Sequence, residues 1–298
     1  MTSSDKVQLT YGDISAEFPV IKAVDGANAV DISKLTAATG LTAYDQGFVN
    51  TASTKSAITF IDGGEGILRH RGYPIEQLAG HKSFLETAYL LIYSELPTAD
   101  ELANFEDRIR RHTLVHEDLK NLFSAMPQTA HPMAVLAAGV TALSTFYQDS
   151  LNPHDHEQVE LSTIRLLAKL PVLAAYAHKN SLGQALLYPD NSLNYVENFL
   201  RLTFGNAAEQ YVQNPVVTKA LDTLLVLHAD HEQNCSTSTV RLVGSSQANL
   251  FASISSGINA LFGPLHGGAN EAVLEMLSHI RDSGEGVDKF VQRVKNKE

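Results

Sequence analysis

Hydrophobic and polar residues alternate with a period of two at the start of the chain and follow helical spacing over most of the rest. Val7, Leu9 and Tyr11 are separated by polar residues, Gly12-Asp13 offers a reversal, and Ile14, Ala16, Phe18 and Val20 resume the alternation, which predicts a β-hairpin. Ala57 to Ile61 and Ile67 to His70 predict a second hairpin around Asp62-Gly-Gly-Glu-Gly, whose glycines supply positive φ angles. From Pro74 onward the spacing is helical almost throughout. Thr98-Ala-Asp-Glu is a capping box that opens a helix toward Arg111, and Pro132 marks the first turn of an apolar helix reaching Tyr147. A helix from about Val159 is predicted to end or kink at Pro171, and Gly183 closes the next one. Further helices are predicted at about 193–202, 215–232, 248–261, 269–282 and 287–297. The fold class is therefore mainly α with a small N-terminal β-rich segment.

Composition narrows the function. With 298 residues and 44% hydrophobic content, the chain can bury about three quarters of its unfolded surface, enough for one large domain with a small appendage. A formal charge of -11 excludes a generally basic face and argues against nucleic acid or anionic membrane as the main partner. The single cysteine, Cys235, leaves no internal disulfide and fits a reducing, cytoplasmic setting. The longest apolar run, Met133 to Leu143, is interrupted by Gly139 and Thr141 and falls short of the ~20 residues of a membrane span.

Two histidine-bearing stretches carry candidate chemistry. On the helix from Pro215, the spacing Ala220, Leu224, Leu227 continues to His231 and predicts an inward face, with His228 on an adjacent inward line. Buried histidines satisfied by backbone carbonyls would explain the pair, but the polar run Glu232, Gln233, Asn234 that follows suggests an organised site. A metal-dependent hydrolase at His228, His231 and Glu232 is a competitor; the spacing is not that of His-Glu-x-x-His, and no metal is expected. In the second stretch Gly263-Pro264 stops a helix, Leu265-His266 connects, and Gly267-Gly268 permits a close backbone approach before the next helix. His266 thus stands at a helix N-terminus, where the positive dipole end favours a neutral imidazole able to donate to a carbonyl that is becoming an enolate. A capping loop with an incidental histidine is the plainer alternative.

These stretches, together with Phe60-Ile-Asp-Gly-Gly-Glu-Gly-Ile-Leu and His70-Arg-Gly-Tyr-Pro-Ile-Glu-Gln-Leu, resemble citrate synthase over essentially the whole chain. Arg111-His-Thr, His131-Pro-Met and Phe146-Tyr-Gln-Asp-Ser-Leu are similar to the bacterial hexameric type. The resemblance implies a multi-helical large domain over 74–282, preceded by a β-rich segment over 1–73 and followed by the start of a small domain over 283–298. It implies condensation of acetyl-CoA with oxaloacetate to citrate and CoA, without metal or other cofactor, by a homodimer or a hexamer of dimers. His266 would stabilise the enol of acetyl-CoA, while His231 would bind oxaloacetate with Asn234 ordering that site. Arg111, His112, Tyr147, Arg165 and Lys169 match a candidate allosteric nucleotide site, which Asp190 disfavours electrostatically. The family's second histidine, its aspartate base and its carboxylate-binding arginines belong to a Gly-Phe-Gly-His-Arg-Val-Tyr region expected beyond Lys297, so these 298 residues are expected to lack most of the small domain and useful turnover. Rival functions are 2-methylcitrate synthase acting on propionyl-CoA, which differs by one methylene, and a non-catalytic oligomerising or regulatory protein.

Overall fold

A computed structural model describes residues 5–48 and 50–296, and the chain divides into two compact units, 1–77 and 78–298. In the first, β1 (Lys6–Tyr11) and β2 (Ile14–Ile21) pair antiparallel with Tyr11 opposite Ile14, so Gly12 and Asp13 form the two-residue turn, with Gly12 at φ 58°. Strand β3 (Ala29–Val30) adds to the other side of β2. Phe18 on β2 is 2% exposed and anchors this sheet together with Leu35 on α1 (Leu35–Thr39).

The second hairpin joins β4 (Thr59–Asp62) to β5 (Ile67–His70), and β5 continues into β6 (Tyr73–Pro74). Only Gly66 of the three turn glycines has positive φ, at 69°. Asp62 does the remaining work, because its Oδ1 accepts from the backbone N–H of both Gly64 and Glu65. His70 is fully buried, and its Nδ1 lies 3.0 Å from Oγ1 of its cross-strand partner Thr59.

Helix α2 (Ile75–Leu78) leads into the helical unit. There α3 (Phe84–Tyr93) and α4 (Ala99–Arg111) both open with complete capping boxes, Ser83 with Glu86 and Thr98 with Glu101. Helices α5 (Glu117–Ala125), α6 (Pro132–Phe146) and α7 (His156–Ser181) build the main core, in which Leu119, Phe123, Val140, Leu143, Leu173 and Tyr176 are almost wholly buried. Gly139 is required by packing: a Cβ there would stand 2.8 Å from Phe123 Cζ.

Helix α7 continues past Pro171, so of the two outcomes expected from sequence, an end or a kink, the first does not occur. Proline cannot donate to the carbonyl of Leu167, four residues earlier, and the Tyr195 hydroxyl of α8 (Tyr195–Phe204) donates to that carbonyl instead at 3.0 Å. Two buried lysines of α7 cap neighbouring helices: Lys169 Nζ donates to the carbonyls of His112 and Leu114 after α4, and Lys179 Nζ to that of Gly205 after α8.

The helix expected over 215–232 ends earlier, as α9 (Pro215–Leu227), and a helix not expected from sequence, α10 (Cys235–Gly244), follows. Between them Asp230 Oδ2 accepts the Glu232 N–H, and Glu232 takes φ 54°, which ends the helical path. Helices α11 (Leu250–Leu261), α12 (Gly268–Ser283) and α13 (Val287–Asn296) follow. Among the described residues no helix is long and apolar enough to cross a membrane.

Candidate active site

Helices α10 and α11 approach closely because α11 carries a glycine where they meet. A Cβ on Gly257 would lie 2.6 Å from Val240 Cγ2. Asn234 caps α10 by accepting the Thr237 N–H at 2.9 Å, which places Ser236 in the first turn facing α11. Ser236 Oγ lies 3.0 Å from the Gly257 carbonyl and 2.8 Å from His266 Nε2.

His266 reaches this position through a tight reversal. After α11 ends, the Gly267 N–H donates back to the Leu261 carbonyl at 2.9 Å and the Gly268 N–H to the Gly263 carbonyl at 3.1 Å. Close approach, rather than positive φ, requires the diglycine. Gly267 has φ -63°, yet a Cβ there would stand 2.5 Å from Leu261 O. His266 precedes the cap of α12 and is partly exposed, so a bound molecule can reach its ring.

One hydroxyl proton then decides the histidine's chemistry. If Ser236 donates to the Gly257 carbonyl, its oxygen accepts from a protonated Nε2, and a neutral ring presents only a lone pair at Nδ1. If Ser236 donates to Nε2, Nδ1 carries the proton and can donate to a substrate carbonyl. Ser236 carries no expectation from sequence, although Asn234 as a helix cap two residues earlier is the signal that places it.

The structure reverses the expected inward face of α9. Leu224 is 50% exposed and Leu227 38%, and Val226 is the helix's buried residue. The packed line instead carries polar groups: Asp222 accepts the Phe84 N–H at the start of α3 at 2.8 Å, and the Thr218 hydroxyl oxygen is buried. His228 becomes the C-cap of α9, its Nδ1 2.8 Å from the Leu224 carbonyl, and both His228 and His231 are exposed. Asn234 is partly buried and engaged as the α10 cap. Among the described residues no three His, Cys, Asp or Glu side chains are gathered to hold a metal ion.

Four of the five residues matched to a nucleotide site come together elsewhere in this unit. Tyr147 lies under both cations, 4.5 Å from Arg165 Cζ and 4.9 Å from Lys169 Nζ. Arg165 is clamped by both carboxylate oxygens of Asp149, at 2.6 and 2.9 Å, and its guanidinium holds that carboxyl below the usual carboxylate range. Lys169, 2% exposed, bonds the His112 carbonyl, and burial beside Arg165 pushes its ammonium down to about 8. Arg111 points away to Asp107. A cavity of about 570 Å³, bordered by Phe84, Ile109, Tyr195, Asn198 and Asp222, is lined by none of His231, Asn234, Ser236 or His266.

Comparison with known proteins shows the family. The family model "Citrate synthase, C-terminal domain" matches residues 47–298. Citrate synthase 1 of Mycobacterium tuberculosis is 62% identical over 296 residues, which cover 99% of this chain and 69% of that protein. Citrate synthase of Corynebacterium glutamicum is 56% identical over 298 residues, covering 100% and 68%. Among solved structures, citrate synthase from Pyrobaculum aerophilum superposes with a TM-score of 0.70 at 34% identity, covering 76% of this chain and 57% of that one. The Thermoplasma acidophilum enzyme, in a ternary complex with carboxymethyl coenzyme A and oxaloacetate, gives 0.76 at 25% identity, covering 84% and 64%. The chain thus spans about two thirds of the length of these curated relatives and slightly less of the solved structures. It belongs to the citrate synthase family.

Proposed function

We propose that the chain serves the condensation of acetyl-CoA, oxaloacetate and water to citrate and free CoA, and that His266 is its group for the thioester carbonyl. The observation that carries this reading is the Ser236–His266 contact of 2.8 Å at a partly exposed turn before a helix N-terminus. In the reactive state Ser236 turns its hydroxyl proton from the Gly257 carbonyl to Nε2, so Nδ1–H donates to the acetyl-CoA carbonyl oxygen. As the methyl group loses a proton, negative charge moves onto that oxygen, and a preorganised donor there lowers the barrier. A neutral imidazole suits the task, because it leaves a hydrogen-bonded enolate poised to attack the oxaloacetate carbonyl.

His231 and Asn234 are assigned to oxaloacetate. The exposure of His231 leaves its ring accessible to a dianion, and Asn234 fixes the start of α10 beside it. No residue of 1–298 is assigned as the base. We also propose an allosteric dinucleotide site at the cluster of His112, Tyr147, Arg165 and Lys169, whose phosphates must displace Asp149 from Arg165, with Arg111 released from Asp107 to join them. Self-association as a dimer or a hexamer of dimers, a cytoplasmic setting, and a large domain over 74–282 with a small domain beginning at 283 complete the reading.

Calorimetric titration with carboxymethyl-CoA tests it. The unaltered chain should bind saturably, and His266→Ala should lose roughly tenfold in affinity, the worth of about one charge-assisted hydrogen bond. Equal affinity for both proteins would overturn the assignment of His266.

A further inference from the structure

His131 caps α6, and it also touches both flanks of the reversal that carries His266. Its Nδ1 accepts the Met133 N–H at 3.2 Å, so in the neutral ring the proton sits on Nε2. That Nε2 lies 3.4 Å from Oε2 of Glu271 in the first turn of α12. The ring itself stacks on Phe262, the residue that ends α11, with centroids 4.3 Å apart and planes inclined by 29°. One side chain thus holds residues four before and five after His266.

Helix α12 has little else to hold it. It buries no side chain, and among the described residues the His131–Glu271 contact is the one side-chain bond that joins it to another element. Helix α6, by contrast, is fixed by Val135, Ala137, Val140 and Leu143 in the main core. We propose that His131 is a positioning residue that transmits the placement of α6 to the His266 turn, through the Phe262 stack on one side and the Glu271 bond on the other. This rests on the reading of His266 as the thioester-binding group. Each contact is individually modest, since Glu271 is 60% exposed and exposed pairs contribute little. Their joint effect comes from gripping a short rigid turn at both ends, where a small displacement moves His266 off its donor line.

A residue serving only as a cap makes a different prediction, because asparagine caps as well as histidine or better. His131→Asn keeps an oxygen for the Met133 N–H but removes both the ring stack and the Glu271 bond. We expect it to melt close to the unaltered chain, to bind carboxymethyl-CoA ~3- to 10-fold more weakly, and to shift the ring nitrogen resonances of His266. Glu271→Ala should reproduce that weakening and Glu271→Gln should restore it, as the amide oxygen still accepts from Nε2–H. The double variant His131→Asn/Glu271→Ala should be no worse than His131→Asn.

Unchanged His266 resonances in His131→Asn would overturn the proposal, as would equal loss in Glu271→Gln and Glu271→Ala. If His131→Asn does not fold, the Glu271 pair decides alone. If the unaltered chain does not bind carboxymethyl-CoA, the assignment of His266 fails while its ring resonances still test whether His131 positions it.

Discussion

Replacing Gly267 by alanine sets two effects of opposite sign against each other. Gly267 has φ -63° and ψ -30°, an ordinary helical conformation, so alanine meets no dihedral penalty there. On propensity alone, Gly267→Ala at the start of α12 should stabilise the protein by up to about 1 kcal/mol. Space decides otherwise. The new Cβ would stand 2.5 Å from Leu261 O and 2.8 Å from Leu261 Cδ1, whereas such atoms settle at about 3.5 Å. The reversal must therefore open by about 1 Å, at an overpacking cost of about 1–3 kcal/mol. Weakening the 2.9 Å bond from Gly267 N–H to Leu261 O costs about 1 kcal/mol more. The net expectation is a loss of about 1–3 kcal/mol, or roughly 2–10 °C in Tm for a unit of this size. His266 moves with the turn, and a displacement of this size can cost up to ~100-fold in a function that depends on its alignment. Thermal melting by circular dichroism and titration with carboxymethyl-CoA read the two effects. A Gly267→Ala protein that melts at or above the unaltered chain and binds equally well would refute the close approach on which the placement of His266 depends.

Ser236→Ala should leave Nε2 of His266 and the Gly257 carbonyl without their shared partner, costing about 1–3 kcal/mol of stability by urea titration and weakening carboxymethyl-CoA binding. Asp149→Asn should raise affinity for a dinucleotide, measured by fluorescence titration with NADH, because Arg165 no longer has a carboxylate clamp to give up. Lys169 gives a pH signature. Its folded pKa, about 8, lies below the 10.5 of the unfolded chain, so between these values the unfolded state binds the extra proton. Stability should therefore rise with pH across that window by up to about 3 kcal/mol relative to Lys169→Met, and a flat difference between the two proteins would count against the burial of the charge.

The two hairpins were legible in the sequence because alternation and turn residues agree, with Gly12-Asp13 and Gly63 to Gly66 set between matched strands. The His266 turn was legible for a similar reason, since Gly263-Pro264 and Gly267-Gly268 bracket it with residues that end and start helices. The face of α9 was not. Its packed line carries Thr218 and Asp222, which serve the α3 N-terminus and the interior, while Leu224 and Leu227 point outward, so hydrophobicity indicated the wrong side. Helix α10 was hidden by Ser-Thr-Ser-Thr, residues of poor helix propensity whose hydroxyls bond elsewhere, Thr239 back to the Cys235 carbonyl and Ser236 across to α11. That α7 does not end at Pro171 could not be read from sequence, because the Tyr195 hydroxyl that takes up the freed Leu167 carbonyl lies on another helix. Arg165 and Lys169 resemble a solvated, phosphate-binding pair at helical spacing, and only their tertiary partners reveal that both are already engaged.

The central claim is that His266 donates a hydrogen bond to the thioester carbonyl, and the vibration of that carbonyl reports it without any need for turnover. Isotope-edited infrared difference spectra of bound acetyl-CoA should show the carbonyl stretch moved to lower frequency in the unaltered chain. The shift should be reduced in Ser236→Ala and absent in His266→Ala. A bound thioester whose carbonyl stretch matches that of free acetyl-CoA, or that is shifted equally in the presence and absence of the His266 ring, would contradict the account.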